Sequence, residues 1–229
     1  MSLQFRKKGK DMARKATTKE AVIYGDLIKT AEITIEGTGD IILNKMNIST
    51  VRELTADDRK AQHVWEQQHM NKWERIITSI HWRDPLPTED TNSDCSEEMM
   101  MDLLNTNAPC IPKFGFNKSW GQAVVRFGID KYSTKFDPAV DIAAPHGLVP
   151  ITFDEWHMET KLMAPKRGAP VTQTFNHFSG WGATILLNYT DDVYSLNEIL
   201  TVISKAGMGL GIGSGRSSGY GRYKIVDVK

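Results

Sequence analysis

The segment Gly207-Met-Gly-Leu-Gly-Ile-Gly-Ser-Gly-Arg-Ser-Ser-Gly-Tyr-Gly221 places seven glycines in fifteen residues. What flanks it decides what it can be. Ser195-Leu196-Asn197-Glu198 forms a capping box, and Leu196, Ile199, Leu200 and Ile203 recur at helical spacing. A helix is therefore expected over 195–206, with Gly207 at its C′ position. The chain then ends in a strand, Tyr220 to Val228. A dinucleotide-binding fingerprint runs in the opposite order: strand, glycines, helix. Gly215-Arg216-Ser217 also lacks the lysine and following helix of a phosphate-binding Walker loop. ATP and NAD are thus excluded as expected ligands. Two readings stay open. Gly213 and Gly215 can bring backbone N–H groups close to a phosphodiester, with Arg216, Ser217 and Ser218 as donors and Tyr220 as a stacking ring. Alternatively, the glycines allow close packing against a neighbouring element.

Upstream, Ala31 to Glu36 alternates and stops at Gly37-Thr38-Gly39, a half-buried strand and turn. Residues 55–80 read as one helix, opened by Thr55 and Asp58 and carrying Met70, Trp73, Ile76, Ile77 and Ile80 on its core face. Residues 84–107 read as an acidic loop running into a short helix, with Met99, Met100 and Met101 as core fillers. Phe116, Trp120, Ala123, Val124 and Phe127 share one face of a helix over 119–129. Residues 148–162 read as a strand or a hairpin arm. Residues 163–180, with Pro165, Gly168, Pro170 and Gly180, read as a long irregular excursion. Trp181 to Tyr189 is a further strand.

Lysine plus arginine and aspartate plus glutamate both number 28, so a uniformly basic nucleic-acid coat is ruled out. Local charge is uneven. Residues 1–20 hold seven basic and two acidic side chains, and residues 204–229 hold five and one. Residues 1–22 are expected to form a basic flexible arm. There is no apolar run long enough for a membrane span and no apolar stretch behind the basic N-terminus. Cys95 and Cys110 form no C-x-x-C pair and read as plain thiols in a reducing compartment. His63 and His69 have poor spacing for two ligands on one helix face. No metal or cofactor is expected.

Two segments together resemble one family. The run Gly211-Ile-Gly-Ser-Gly-Arg-Ser-Ser-Gly-Tyr-Gly-Arg-Tyr-Lys-Ile225 is similar to the C-terminal glycine-rich loop and final strand of the RAMP superfamily of CRISPR proteins. Its Cas7 group, the backbone subunits of effector complexes, carries Gly-Gly-x-x-Ser-Arg-Gly-Tyr-Gly-x-Val. The run Cys110-Ile-Pro-Lys-Phe-Gly-Phe-Asn-Lys-Ser119, leading to Arg126, is similar to the family's Ile-Pro-Gly-Ser-Ser-x-Lys-Gly run, which opens a helix ending in arginine. The resemblance covers residues 108–229 and the strand at 31–36; residues 44–107 have no counterpart. It departs at Lys113-Phe114-Gly115, where the family has Gly-Ser-Ser, and in a shifted loop arginine. A similar chain organisation occurs in bacteriophage proteins, and this chain is expected to belong among them.

The resemblance implies an α+β fold with a ferredoxin-like, RRM-like βαββαβ core. Residues 23–229 would then be a single RAMP-like domain with a helical insertion at 44–107 and a thumb-like excursion at 163–180. It implies a non-enzymatic, cytoplasmic protein of a bacterial cell that binds single-stranded nucleic acid, RNA over DNA, and self-associates along it. The expected contacts are Lys113, Lys118, Arg126, Lys166, Arg167, Gly213, Gly215, Arg216, Ser217, Ser218, Tyr220 and Arg222, with Phe175 and Phe178 clamping strand or neighbour. Some family members cleave target RNA with an aspartate in the loop after the first strand. Asp40 falls there, and as a lone carboxylate it reads as a turn residue. Two rivals remain: a metal-independent endoribonuclease using one of His63, His69, His81, His146, His157 or His177, and a protein-interaction factor that mimics an effector subunit.

Overall fold

The computed structural model describes residues 28–45, 71–86, 96–163 and 171–229. The chain runs through β1 (Ile28–Gly37), β2 (Ile41–Leu43), α1 (Lys72–Thr78), β3 (His81–Trp82), α2 (Glu97–Thr106) and β4 (Pro109–Pro112). It continues through α3 (Lys113–Arg126), α4 (Phe136–Ala139), β5 (Val140–Ile142), β6 (Leu148–Pro150) and β7 (Glu155–Met163). It ends with β8 (Val171–Ser179), β9 (Gly182–Thr190), α5 (Leu196–Gly209) and β10 (Tyr223–Val228). The result is a mixed α+β protein with three antiparallel sheets among the described residues.

The alternation in β1 drives the arrangement. Ala31, Ile33 and Ile35 are buried on one face while Glu32, Thr34 and Glu36 face outward. β1 pairs on both edges, with β10 and with β9, and β5 completes the sheet in the order β10-β1-β9-β5. α3 lies in the long connection from β1 to β5, after β2, α1, β3, α2 and β4 and before α4, and α5 joins β9 to β10. Their apolar faces, Phe116, Trp120, Ala123 and Val124 on α3 and Ile199, Val202, Ile203 and Ala206 on α5, enter the same core as the buried β1 and β9 side chains. Polar groups drawn into that core are paired. Trp120 Nε1 donates to the Tyr223 hydroxyl at 2.9 Å, and the Ser119 hydroxyl donates to the Gly211 carbonyl at 2.8 Å. Burial raises the Tyr223 phenol well above its ordinary pKa, so it stays a neutral acceptor.

Several sequence expectations need correction. The stretch 55–80 is not one helix. Asn71 is an extended N-cap whose side chain accepts from Glu74 N, while the Glu74 carboxylate accepts from Asn71 N, so a helix starts at Lys72. The Thr55–Asp58 signal, His63 and His69 lie outside the described residues, as do the 1–22 arm and Cys95. The 163–180 excursion is not irregular throughout. Val171–Ser179 pairs along nine residues with Glu155–Met163 as a long hairpin, built from β-branched threonines that the nearby Pro and Gly punctuation obscured. The strand or hairpin arm expected over 148–162 is two strands: β6 joins β4, while β7 is a hairpin arm against β8. The first long helix begins earlier than expected, at Lys113, and ends at Arg126. The second runs past Gly207 to Gly209, because Gly207 is buried against the Tyr223 carbonyl and ring, and Gly211 takes the left-handed helix-ending conformation instead.

The 44–107 stretch contributes to the core through Ile76, Ile80, Met100 and Leu104. Of the methionine run, Met100 is buried, while Met99 and Met101 are exposed. β3 pairs with β4, opposing His81 to Cys110. Burial, helped by Lys45, holds the His81 imidazole below its ordinary value of 6.5. The folded chain therefore binds fewer protons than the unfolded chain, and stability falls as pH drops through about 6.5. Urea midpoints measured from about pH 8 to pH 5 are expected to show this slope, and His81→Gln to reduce it. Burial also pushes the Cys110 thiol up to about 11. In a Cys95→Ser protein, Cys110 is expected to react with a disulfide reagent near neutral pH only after denaturant is added.

Candidate nucleic-acid interface

The glycine-rich loop lies between α5 and β10 and is sewn to the turn after β1. Gly221 N donates to the Asp40 carbonyl at 2.8 Å, and Ser214 N donates to the Ile42 carbonyl at 2.9 Å. Ile212 N donates to Gly221 O at 3.0 Å, closing the loop on itself. Thr38 N donates to Arg222 O, and Trp181 Nε1 caps the Gly39 carbonyl, both at 2.9 Å. Gly211, Gly213, Gly215, Gly219 and Gly221 all have positive φ. At Gly221 an added Cβ would stand 1.8 Å from the Ile212 carbonyl oxygen, and at Gly213 it would stand 2.7 Å from that of Ile42. Close packing, one of the two readings of these glycines, therefore holds at these positions.

The loop's remaining surface is polar. Ser217 and Ser218 are exposed, and Arg216 and Tyr220 are half-exposed. Arg216–Ser218 form one 3₁₀ turn between left-handed Gly215 and Gly219. Behind it, Arg222 reaches the Arg216 carbonyl with Nη2 at 3.5 Å. Its Nη1 is enclosed without a hydrogen-bond partner among the described residues. The Tyr220 ring meets the His177 ring edge-on at 5.4 Å, so it is packed rather than freely presented.

A second surface runs along α3. Lys118 and Arg126 line an open cleft of about 400 Å³ with Asn117, Gln122, Ser133 and Asp137. Asn117 Oδ1 is enclosed there with no hydrogen-bond partner among the described residues. Asp137 accepts from the Ser133 hydroxyl at 2.8 Å, so the cleft carries both signs of charge. Ser119, next to Lys118, bonds the loop residue Gly211, which ties the two surfaces together through α3. Lys113 points elsewhere and pairs with Asp141 on β5 at 2.9 Å. Lys166 and Arg167 lie outside the described residues. Phe178 cannot act as a clamp: it is fully buried with its ring 5.0 Å from Phe153.

Three residues that spacing along the chain did not connect come together beside the loop. Asp40, His157 and His177 each offer a ligand atom within 4.8 Å of the others. Asp40 is thus not a lone turn carboxylate. The sequence carries a signal for this pairing: positions 157 and 177 lie almost symmetrically about the Pro165–Pro170 punctuation, as opposed residues of a hairpin do.

No protein-family profile matches the chain, and no curated protein matches it. Among solved structures, the type III-B Cmr-β complex bound to cognate target RNA aligns over 90% of this chain and 61% of that chain, at 11% identity and a TM-score of 0.49. Cmr6 from Pyrococcus furiosus aligns over 87% of this chain and 99% of that chain, at 12% identity and a TM-score of 0.32. This chain spans less than two thirds of the Cmr-β chain it matches. No helix among the described residues is long and apolar enough to cross a membrane.

The loop's packing makes a sharp prediction. Gly221→Ala combines a positive φ with a backbone clash and is expected to cost at least about 3 kcal/mol in urea unfolding. Gly39→Ala has nothing within 4 Å of its new methyl and is expected to stay within about 0.5 kcal/mol of wild type.

Proposed function

We propose that this chain is a RAMP-like, Cas7-like protein that binds single-stranded nucleic acid, RNA in preference to DNA, without cleaving it, and self-associates along the strand. The observation that carries the reading is the glycine loop between α5 and β10. It is packed rigidly against the first-strand turn while Arg216, Ser217 and Ser218 stay on its surface, with an enclosed Arg222 N–H behind them. A rigid backbone that presents one guanidinium and two hydroxyls suits phosphate oxygens without reading bases. The strand order β10-β1-β9-β5, with α3 packed on the sheet in the connection that leads to β5 and α5 in the one that leads to β10, supports assigning the central sheet as a ferredoxin-like βαββαβ core. The sequence resemblance at 110–126 and 211–225 maps onto α3 and onto this loop.

In this reading Lys118 and Arg126 on α3 supply further phosphate contacts. Lys166 and Arg167, which lie between β7 and β8 in the sequence, are proposed as further contacts, and residues 1–22 as an auxiliary basic arm. The lack of a dominant positive charge is compatible with this, because a local groove rather than the net charge sets strand affinity.

The test is anisotropy titration of labelled single-stranded RNA and DNA of one length across a salt series. About five neutralised phosphates per protomer give a slope of log affinity against log salt of about −3 to −4. Arg216→Ala is expected to weaken binding on every sequence and to make the slope shallower by about 0.7. Light scattering should show mass growing with strand length. Failure of the wild type to bind any strand at low salt would sink this reading and favour the protein-interaction alternative.

A further inference from the structure

The three-residue cluster beside the loop is built from three separate chain segments by the sheet register. β7 and β8 set His157 directly opposite His177, and the two rings stack with centroids 4.6 Å apart and planes 16° from parallel. β2 lies on the other edge of β8 and sets Ile42 opposite His177. The turn leading into β2 thereby delivers Asp40, and its backbone carbonyl is fixed by Gly221 N at 2.8 Å. His177 is buried, Asp40 is half-buried and His157 is exposed, so the cluster has a closed floor and an open side. Glu159, two residues along β7 from His157, brings a carboxylate to 3.4 Å from His177 Nε2.

We propose that Asp40, His157 and His177 bind one divalent ion of the zinc class, with Glu159 orienting the His177 imidazole. Two imidazoles and a carboxylate form a donor set that suits Zn²⁺ or Co²⁺ and is poorly suited to Mg²⁺, which prefers an all-oxygen octahedron. A four-coordinate ion about 2.1 Å from each ligand holds the ligand atoms about 3.4 Å apart, so small side-chain rotations from the present span suffice. A carboxylate beside the nitrogen of a ligating histidine is the usual outer partner that fixes ring orientation. Three protein ligands leave one position on the exposed His157 side for water or an exchangeable oxygen donor. The site stands next to Tyr220, but the proposal does not depend on strand binding. A stacked histidine pair held only by ion pairing with the carboxylates is the competing explanation, and it predicts no specific ion.

The experiment is titration of the full chain with Zn²⁺ against a chromophoric chelator, and with Co²⁺ read by its visible absorption. The wild type is expected to take up one ion at this site. His157→Ala, at an exposed position, and Asp40→Asn, nearly isosteric, should each weaken binding at least about 10- to 100-fold, since even outer-shell losses cost that much. His146→Asn, at an exposed positive-φ position that asparagine tolerates, should bind as wild type does. Circular dichroism checks that all variants are folded. No ion taken up by the wild type, or equal affinity in wild type, His157→Ala and Asp40→Asn, would overturn the proposal. Because no nucleic acid is present, this result is independent of whether the protein binds strands.

Discussion

The structure depends on the short turn between β1 and β2 being held from three sides. Gly221 N bonds the Asp40 carbonyl, Thr38 N bonds the Arg222 carbonyl, and Trp181 Nε1 bonds the Gly39 carbonyl, while Ser214 N bonds Ile42 just beyond the turn. β1 belongs to the four-stranded sheet and β2 to the β2-β8-β7 sheet, so this turn is where the two sheets meet. It also anchors the glycine loop and positions Asp40. Each bond contributes only about 1 kcal/mol net, yet a buried carbonyl left unpaired would cost more than a made bond contributes. Trp181 also stacks edge-on against Tyr223 at 6.3 Å, which couples the turn to the core.

From that turn the two surfaces follow by packing. α3 and α5 lie together on the sheet, and Ser119 and Trp120 on α3 bond Gly211 and Tyr223, the elements at the two ends of the loop. The loop is therefore a rigid extension of the helical layer. Rigidity matters for the proposed role, because donors already held in place lose little conformational freedom when a strand arrives. The same rigidity gives the Asp40–His157–His177 cluster its convergence, as each of its residues is placed by backbone pairing.

Much of the local structure was legible in the residues. The capping box Ser195–Glu198, the alternation through Ile33 and Ile35, and the helical face Phe116–Trp120–Ala123–Val124 are short-range signals, and each appears where expected. The helix ending at Arg126 was legible from a family resemblance alone. Signals failed where two local patterns competed. Asn71-Lys-Trp-Glu74 is a capping box hidden inside a longer apolar period, and the β8 strand is too polar to alternate visibly. Of the candidate site, Arg216, Ser217 and Ser218 stay on the surface, whereas Lys113 is engaged with Asp141 and Phe178 is buried.

By itself the sequence determined where the glycines stand, that they follow a helix and precede a strand, and hence that no dinucleotide fold uses them. It also determined the apolar faces that make the core. Only the tertiary structure decided what the glycines pack against, since a close approach is defined by a partner, and the Asp40 carbonyl that Gly221 meets lies 181 residues away. Only the register of β2, β8 and β7 brought Asp40, His157 and His177 to one point. Strand pairing is non-local, and no spacing within one segment encodes which segments become neighbours.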